Sequence, residues 1–336
     1  MVMPHAKIWL RVAGITLGLA FVVVGVHWTG VGAIRKALSQ VGVNITWMFA
    51  AYAAGTAVAA LPWRRLFPLW LRPSWGATLT SRFAASGLNA LLPFFGLGEA
   101  ARLLWLPRGE RTPGLAALVV DRLLFLAAGI PILVVAALAA RRVPGVPSSY
   151  QAGVLISAAA ISIAVAAVAV GAARGRLVGK LRWALIVFGV PPTPANGSTQ
   201  DGDGNPVDRG LRALLTGAPA PIAGGLALHL CARLLLAAEI YAGLQILGAR
   251  VGALGTLIFI AIPVGLSVIG TFVPAQIGLQ EGATALVASA LGIGPATGIA
   301  LVFLQRLRQL VFVPLAGVLI ALVPYGPRAS DRHPQN

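Results

Sequence analysis

Residues 272–286 read FVPAQIGLQEGATAL, inside a region otherwise built from Leu, Ala, Ile and Val. Pro274, Gln276, Gly278, Gln280, Glu281 and Gly282 all fall in this one stretch. A proline removes a helix hydrogen bond and clashes with the preceding turn. A carboxylate resists transfer into an apolar medium unless it finds a partner. The stretch therefore predicts two half-helices across 252–291, separated by a break at Pro274 to Gly278. Glu281 then falls in the first turn of the second half, where the helix dipole favours negative charge. That is a structural reason for the glutamate that needs no substrate.

This reading requires a membrane, and composition points to one. The chain has 336 residues, 58% hydrophobic and 10% charged, with a mean hydropathy of +0.86. Soluble chains carry about 25% charged residues. Several runs of about 20 apolar residues are long enough to span a bilayer. Backbone groups in lipid must bond within their own segment, and no two-residue alternation suggests a barrel, so the spans are predicted to be helices. The net charge of +17 arises from 26 Lys and Arg against 9 Asp and Glu. Basic residues of this kind mark the cytoplasmic loops of membrane proteins, and no nucleic-acid partner is expected. Cys231 is the only cysteine and the 4 histidines are scattered, so neither a metal site nor a cofactor is expected.

The expected fold is an all-α integral membrane protein with about six transmembrane helices and two re-entrant hairpins. The spans are placed at 8–26, 44–61, 114–139, 151–173, 221–248 and 295–323. The first carries Gly14 and Gly18, a small-residue face suited to close packing. Residues 74–107 hold the other hairpin, interrupted by LLPFFGLGEAAR, in which Pro93, Gly96 and Gly98 break the helix. Residues 174–218 are expected to be a mobile cytoplasmic loop, because PPTPANGSTQDGDGNPVDRG is rich in Gly, Pro and Asp. The whole chain, 1–336, reads as one polytopic membrane domain.

With the N-terminus in the cytoplasm, fourteen Lys and Arg fall in cytoplasmic segments, among them Arg64, Arg65, Arg72, Arg108 and Arg111. Five fall outside: Arg35, Lys36, Arg141, Arg142 and Arg250. The bias predicts that both termini are cytoplasmic. The hairpins then enter from opposite sides. Paired broken segments of this kind point to a central binding site between inverted repeats.

Four of the nine acids, Glu99, Asp121, Glu239 and Glu281, fall in or near apolar segments, where a charged group must face protein or water. Glu99 and Arg102 share a helix face, as an ion pair closing the hairpin or as a headgroup site. Asp121 and Arg122 point about 100° apart on a helix and must each look to another partner, for helix packing or for substrate. His229, Arg233 and Glu239 favour structural pairing. Arg306, near mid-span, needs a cavity or an acid, with Glu281 and Glu99 as partners; the same holds for Arg308.

These residues resemble a known family. Asn89-x-x-x-Pro93 followed by Gly98-Glu99-x-x-Arg102 is similar to the first motif of the lysylphosphatidylglycerol synthase transmembrane-region family, also called flippase-like membrane proteins. Val120-Asp121-Arg122-Leu123 resembles its acid–arginine pair. Pro274-x-x-x-Gly278-x-x-Glu281-Gly282 resembles its glycine-rich glutamate motif, and Leu304-x-Arg306-Leu307 its last-span arginine. The likeness covers about 8–323. Ala275 and Gln276 stand where the family usually has a glycine pair, and Gln280 where arginine is common. The Gln-Glu-Gly run looks like the hopanoid-associated branch.

The resemblance implies a lipid transporter of the bacterial inner membrane that receives a polar or anionic headgroup near the midplane. The implied binding residues are Asn89, Glu99, Arg102, Asp121, Arg122, Gln276, Gln280, Glu281 and Arg306. The hairpin breaks are Pro93, Gly96, Gly98, Pro274, Gly278 and Gly282. Membrane lipids are the expected partners. The chain carries no nucleotide-binding or catalytic motif and ends soon after its last span, so an enzyme with the family's soluble synthase domain is not expected. Two other readings remain: a non-transporting partner of a lipid- or glycan-modifying enzyme, and an intramembrane enzyme acting on a lipid-linked substrate.

Overall fold

The computed structural model describes residues 42–91, 97–174, 206–269 and 279–322. The first span at 8–26, and Pro93, Gly96, Pro274, Gln276 and Gly278, lie outside the described residues. Within them the chain is all helix, with no strand. Five segments are long and apolar enough to cross a membrane: Gly42–Arg65, Arg111–Ala140, Ser148–Ala173, Pro219–Ile246 and Pro295–Leu319. These match the last five expected spans, and the protein is a multi-pass helical membrane protein.

Helix α1 (Ile45–Val58) continues through a turn into the short α2 (Leu61–Arg65). Exposed Trp47 marks one end of this span, and exposed Trp70 and Trp75 follow the other. Arg64 donates to Pro73 O at 3.0 Å and lies 4.1 Å from the Trp75 ring centroid. Aromatic and basic side chains of this kind anchor a helix at the membrane surface.

The third expected span is two helices, α5 (Arg111–Ala127) and α6 (Gly129–Ala140). Pro131 cannot donate to the Ala127 carbonyl, and the helix is interrupted there. Helix α7 (Ser148–Ala173) packs on α6 and turns much of its surface outward. The connection at 174–218 is not wholly loop. Pro206 opens α8 (Pro206–Thr216), which buries Val207 and Leu211 against α5 and α7. Proline suits a first helical position, where its missing N–H has no partner to lose.

Both hairpin regions contain two helices. In the first they are α3 (Trp75–Leu91) and α4 (Leu97–Ala101), which pack on each other. In the second they are α10 (Ala253–Ile269) and α11 (Leu279–Ala290). Helix α10 is apolar all round and buries Ile258, Phe259, Ile260 and Val264 against α6 and α7, as expected of a helix inside a bundle. The Tyr150 hydroxyl donates to the Ile258 carbonyl at 2.5 Å and ties α7 to α10. Gly98 and Gly282 are not at breaks: Gly98 is the second residue of α4 and Gly282 lies inside α11.

Two long helices complete the described bundle. Helix α9 (Pro219–Ile246) packs against α1, and α12 (Pro295–Leu322) packs against both α11 and α3. Helix α12 therefore brings the two hairpin regions together. Gly292 and Gly294 have φ of +72° and +83°, which lets the chain reverse between α11 and α12.

Candidate functional site

The site begins on α3. Arg82, Ser86 and Asn89 are spaced i, i+4 and i+7, which places them on one helix face. Asn89 Oδ1 accepts the Gly98 N–H at 3.0 Å, at the start of α4. A Cβ on Gly98 would stand inside van der Waals contact of Ala85 O and 2.6 Å from Asn89 Oδ1, so only glycine permits this approach. The close approach of α3 and α4 allows Arg82 Nη1 to donate to Glu99 Oε1 at 2.7 Å.

From Glu99 the polar chain runs inward. Arg102 Nη1 lies 3.0 Å from Glu99 Oε2 and 2.9 Å from Asp121 Oδ2 on α5. Asp121 Oδ1 in turn meets His229 Nε2 on α9 at 2.9 Å. Arg102 is 0% exposed, and its guanidinium lies 4.4 Å from the Trp63 ring centroid. A charge so enclosed is tolerable only because two carboxylates and an aromatic face surround it. The network joins α3, α4, α5 and α9.

A second network joins α9, α11, α12 and α1. Arg306 on α12 is paired with Glu281, in the first turn of α11. Arg308 is paired with buried Glu239 on α9 and lies 3.8 Å from the Tyr52 ring centroid on α1. Gln280 Nε2 donates to Gln305 Oε1 at 2.9 Å, another tie between α11 and α12. The side chains of Arg306 and Glu281 are 34% and 27% exposed, which leaves this pair open to a ligand in a way that Arg102 is not. Arg306 stands eleven residues beyond Pro295, about 17 Å along a helix about 42 Å long.

Between the networks lies a cavity of about 160 Å³, walled by α1, α3, α5 and α9. Arg82, Ser86, Tyr52, Phe125, Arg233 and Glu239 contribute its distinctive side chains. Arg233 Nη2 donates to the Phe125 carbonyl at 3.0 Å, and its guanidinium lies 4.0 Å from the Phe125 ring centroid. Arg122 reaches the same ring at 4.8 Å.

The structure thus brings together Asn89, Glu99, Arg102 and Asp121 in one network and Gln280, Glu281 and Arg306 in the other. Arg122 turns to Phe125 on its own helix rather than to another helix. Gln276 lies outside the described residues. Sequence reasoning gave no role to Arg82, Tyr52 or Phe125, and it placed Trp63 with Arg64 and Arg65 as an interfacial anchor, whereas Trp63 is fully buried against Arg102. Arg82 carried a signal, an arginine amid apolar residues at helical spacing from Ser86 and Asn89. The aromatic residues carried none, since aromatic side chains are common on apolar faces. Among the described residues no three His, Cys, Asp or Glu side chains gather as a metal site.

Fold and site together define a polytopic helical membrane protein with ion-paired side chains buried in its bundle. The chain belongs to the lysylphosphatidylglycerol synthase TM region family, whose model matches residues 11–317. This membership is consistent with a function connected to membrane lipids. No curated protein and no solved structure matches the chain.

Proposed function

We propose that the protein is a flippase-like lipid transporter of the bacterial inner membrane, not an enzyme, and that it acts as a single polytopic domain with both termini cytoplasmic. The two broken hairpins enter the bilayer from opposite sides as inverted repeats, and a polar or anionic headgroup is received between them near the midplane. The lipid is hopanoid-related, as the Gln280-Glu281-Gly282 run suggests. No ATPase motif is present in the sequence, so movement follows a gradient, runs downhill or is driven by a partner.

The observation that supports this reading is the part-exposed Glu281–Arg306 pair, about 17 Å along α12. Intramembrane ion pairs of this kind mark substrate pathways. Reconstitution of the pure protein in vesicles of total lipid, with leaflet distribution and lipid mass both measured, tests it. Glu281→Ala and Arg306→Ala are expected to abolish transbilayer movement while the protein stays folded. Unchanged movement in well-folded variants would sink the site. A change in lipid mass would indicate an enzyme instead.

A further inference from the structure

Arg233 on α9 is 3% exposed and has no carboxylate partner among the described residues. The four acids in or near the apolar segments are engaged elsewhere. Glu99 meets Arg82 and Arg102, Asp121 meets Arg102 and His229, Glu239 meets Arg308, and Glu281 meets Arg306. The other five, Glu110, Asp201, Asp203, Asp208 and Asp331, lie outside the apolar spans. Residues 1–41, 92–96 and 270–278 contain no Asp or Glu. The chain therefore has no further membrane-embedded carboxylate to offer Arg233.

Arg233 lines the cavity of about 160 Å³ between α1, α3, α5 and α9. The Phe125 carbonyl and ring hold its guanidinium but leave its charge in place. Its Nε is buried without a hydrogen-bond partner among the described residues. Arg82 also lines the cavity, but Glu99 meets its charge at 2.7 Å. Glu239 lines it too and is matched by Arg308. Arg122 is exposed and does not line it. The uncompensated charge at this cavity is therefore a single positive one. Thr56 lines the wall from α1 at the level of Arg233, since a Cβ on the adjacent Gly55 would lie 3.5 Å from Ala232 O. Ser86 contributes a second hydroxyl, and much of the remaining wall is apolar.

We infer that this cavity binds one small monovalent anion, chloride or another weakly hydrated ion of its kind, at Arg233 with the Thr56 and Ser86 hydroxyls as further donors. Buried charge must be paired or neutralised, and a single excess charge calls for a single negative one. A divalent anion would carry an unmatched charge into the same enclosed space. A guanidinium is itself weakly hydrated and gives up water readily, and hydroxyls supply neutral donors. The apolar wall cannot replace a strongly held hydration shell, which disfavours fluoride and sulfate. Glu239 stands six residues beyond Arg233, about 9 Å along α9, so its carboxylate keeps the anion at the Arg233 end. The site is separate from the Glu281–Arg306 pair, and the inference does not depend on lipid transport.

The test uses the full chain, purified in a neutral maltoside detergent, with thermal unfolding as the readout. Sodium gluconate is replaced stepwise by sodium chloride at constant ionic strength. The unfolding midpoint is expected to rise with chloride, following the logarithm of its concentration once the site fills. Bromide and nitrate are expected to act likewise, and fluoride much less. Sulfate stabilises proteins generally through exclusion from their surface, so every anion is read as the difference between wild type and variant. Arg233→Met is expected to weaken chloride by about tenfold or more, the effect of one charge-assisted hydrogen bond. Ser86→Phe fills the cavity from α3, leaves every arginine in place, and is expected to do the same. It decides the matter if Arg233→Met does not fold. A midpoint indifferent to chloride, a chloride response unchanged in both variants, or a variant-sensitive response to sulfate as large as that to chloride overturns the inference. Dioctanoyl phosphatidylglycerol, also a monoanion, is expected to leave the chloride response unaltered. If it displaces chloride, the site belongs to a lipid headgroup and the small-ion assignment falls. Leaflet measurements keep the two claims apart, since loss of the anion site leaves the transport reading standing.

Discussion

Asp121→Asn removes one charge from the most enclosed part of the protein and changes almost no volume. Asp121 holds Arg102 at 2.9 Å and His229 at 2.9 Å, and Arg102 is fully buried. Two unit charges about 4 Å apart, at an effective dielectric of about 20, interact by about 4 kcal/mol. Breaking a buried pair by removing one partner costs about 3–5 kcal/mol, because the other charge is left behind. Arg102 keeps Glu99, but Glu99 is shared with Arg82. We therefore expect a loss near the lower end, about 3 kcal/mol. That is about a hundredfold in the folded-to-unfolded ratio. The assay is equilibrium unfolding in mixed micelles with increasing dodecyl sulfate, followed by circular dichroism. The double variant Arg102→Met with Asp121→Leu removes both charges and is expected to lie closer to wild type than Asp121→Asn. A single variant within about 1 kcal/mol of wild type, or a double variant as damaged as the sum of its singles, would refute the coupling.

Gly98→Ala places a Cβ against Ala85 O and Asn89 Oδ1. It should push α4 from α3, cost about 1–3 kcal/mol in the same unfolding assay, and weaken the Arg82–Glu99 pair. Ile163, 70% exposed on α7, faces outward where lipid is expected. Ile163→Arg should raise the insertion free energy of that span by about 3–4 kcal/mol, read from glycosylation-based insertion of the isolated segment. Ile163→Leu should leave it unchanged.

Much of the architecture was legible because lipid imposes a simple rule. A span must be long, apolar and helical, and those properties can be counted along a chain. The expected spans at 44–61, 114–139, 151–173, 221–248 and 295–323 therefore correspond closely to the described helices. The interruption at Ala128 and the helix at 206–216 did not emerge from counting. The first depends on one proline inside a segment apolar enough to pass as continuous. The second has too few apolar residues to stand out, but it packs two of them, Val207 and Leu211, against α5 and α7.

The candidate site divides in the same way. The short range of the Glu99–Arg102 pair made it readable, since a spacing of three places both residues on one helix face. That four acids, Glu99, Asp121, Glu239 and Glu281, fall in or near apolar segments and need partners was likewise readable along the chain. Which arginine meets which acid depends on helix neighbours that no spacing specifies. The tertiary structure decided that Arg308 belongs to Glu239 rather than to Glu99, and that Asp121 serves Arg102 and His229. It also decided that Arg122 and Arg233 converge on Phe125. The physical reason is the medium. Water drives little sorting between apolar helix faces inside a bilayer, so close packing and buried ion pairs select the neighbours, and both are properties of surfaces brought together from distant parts of the chain.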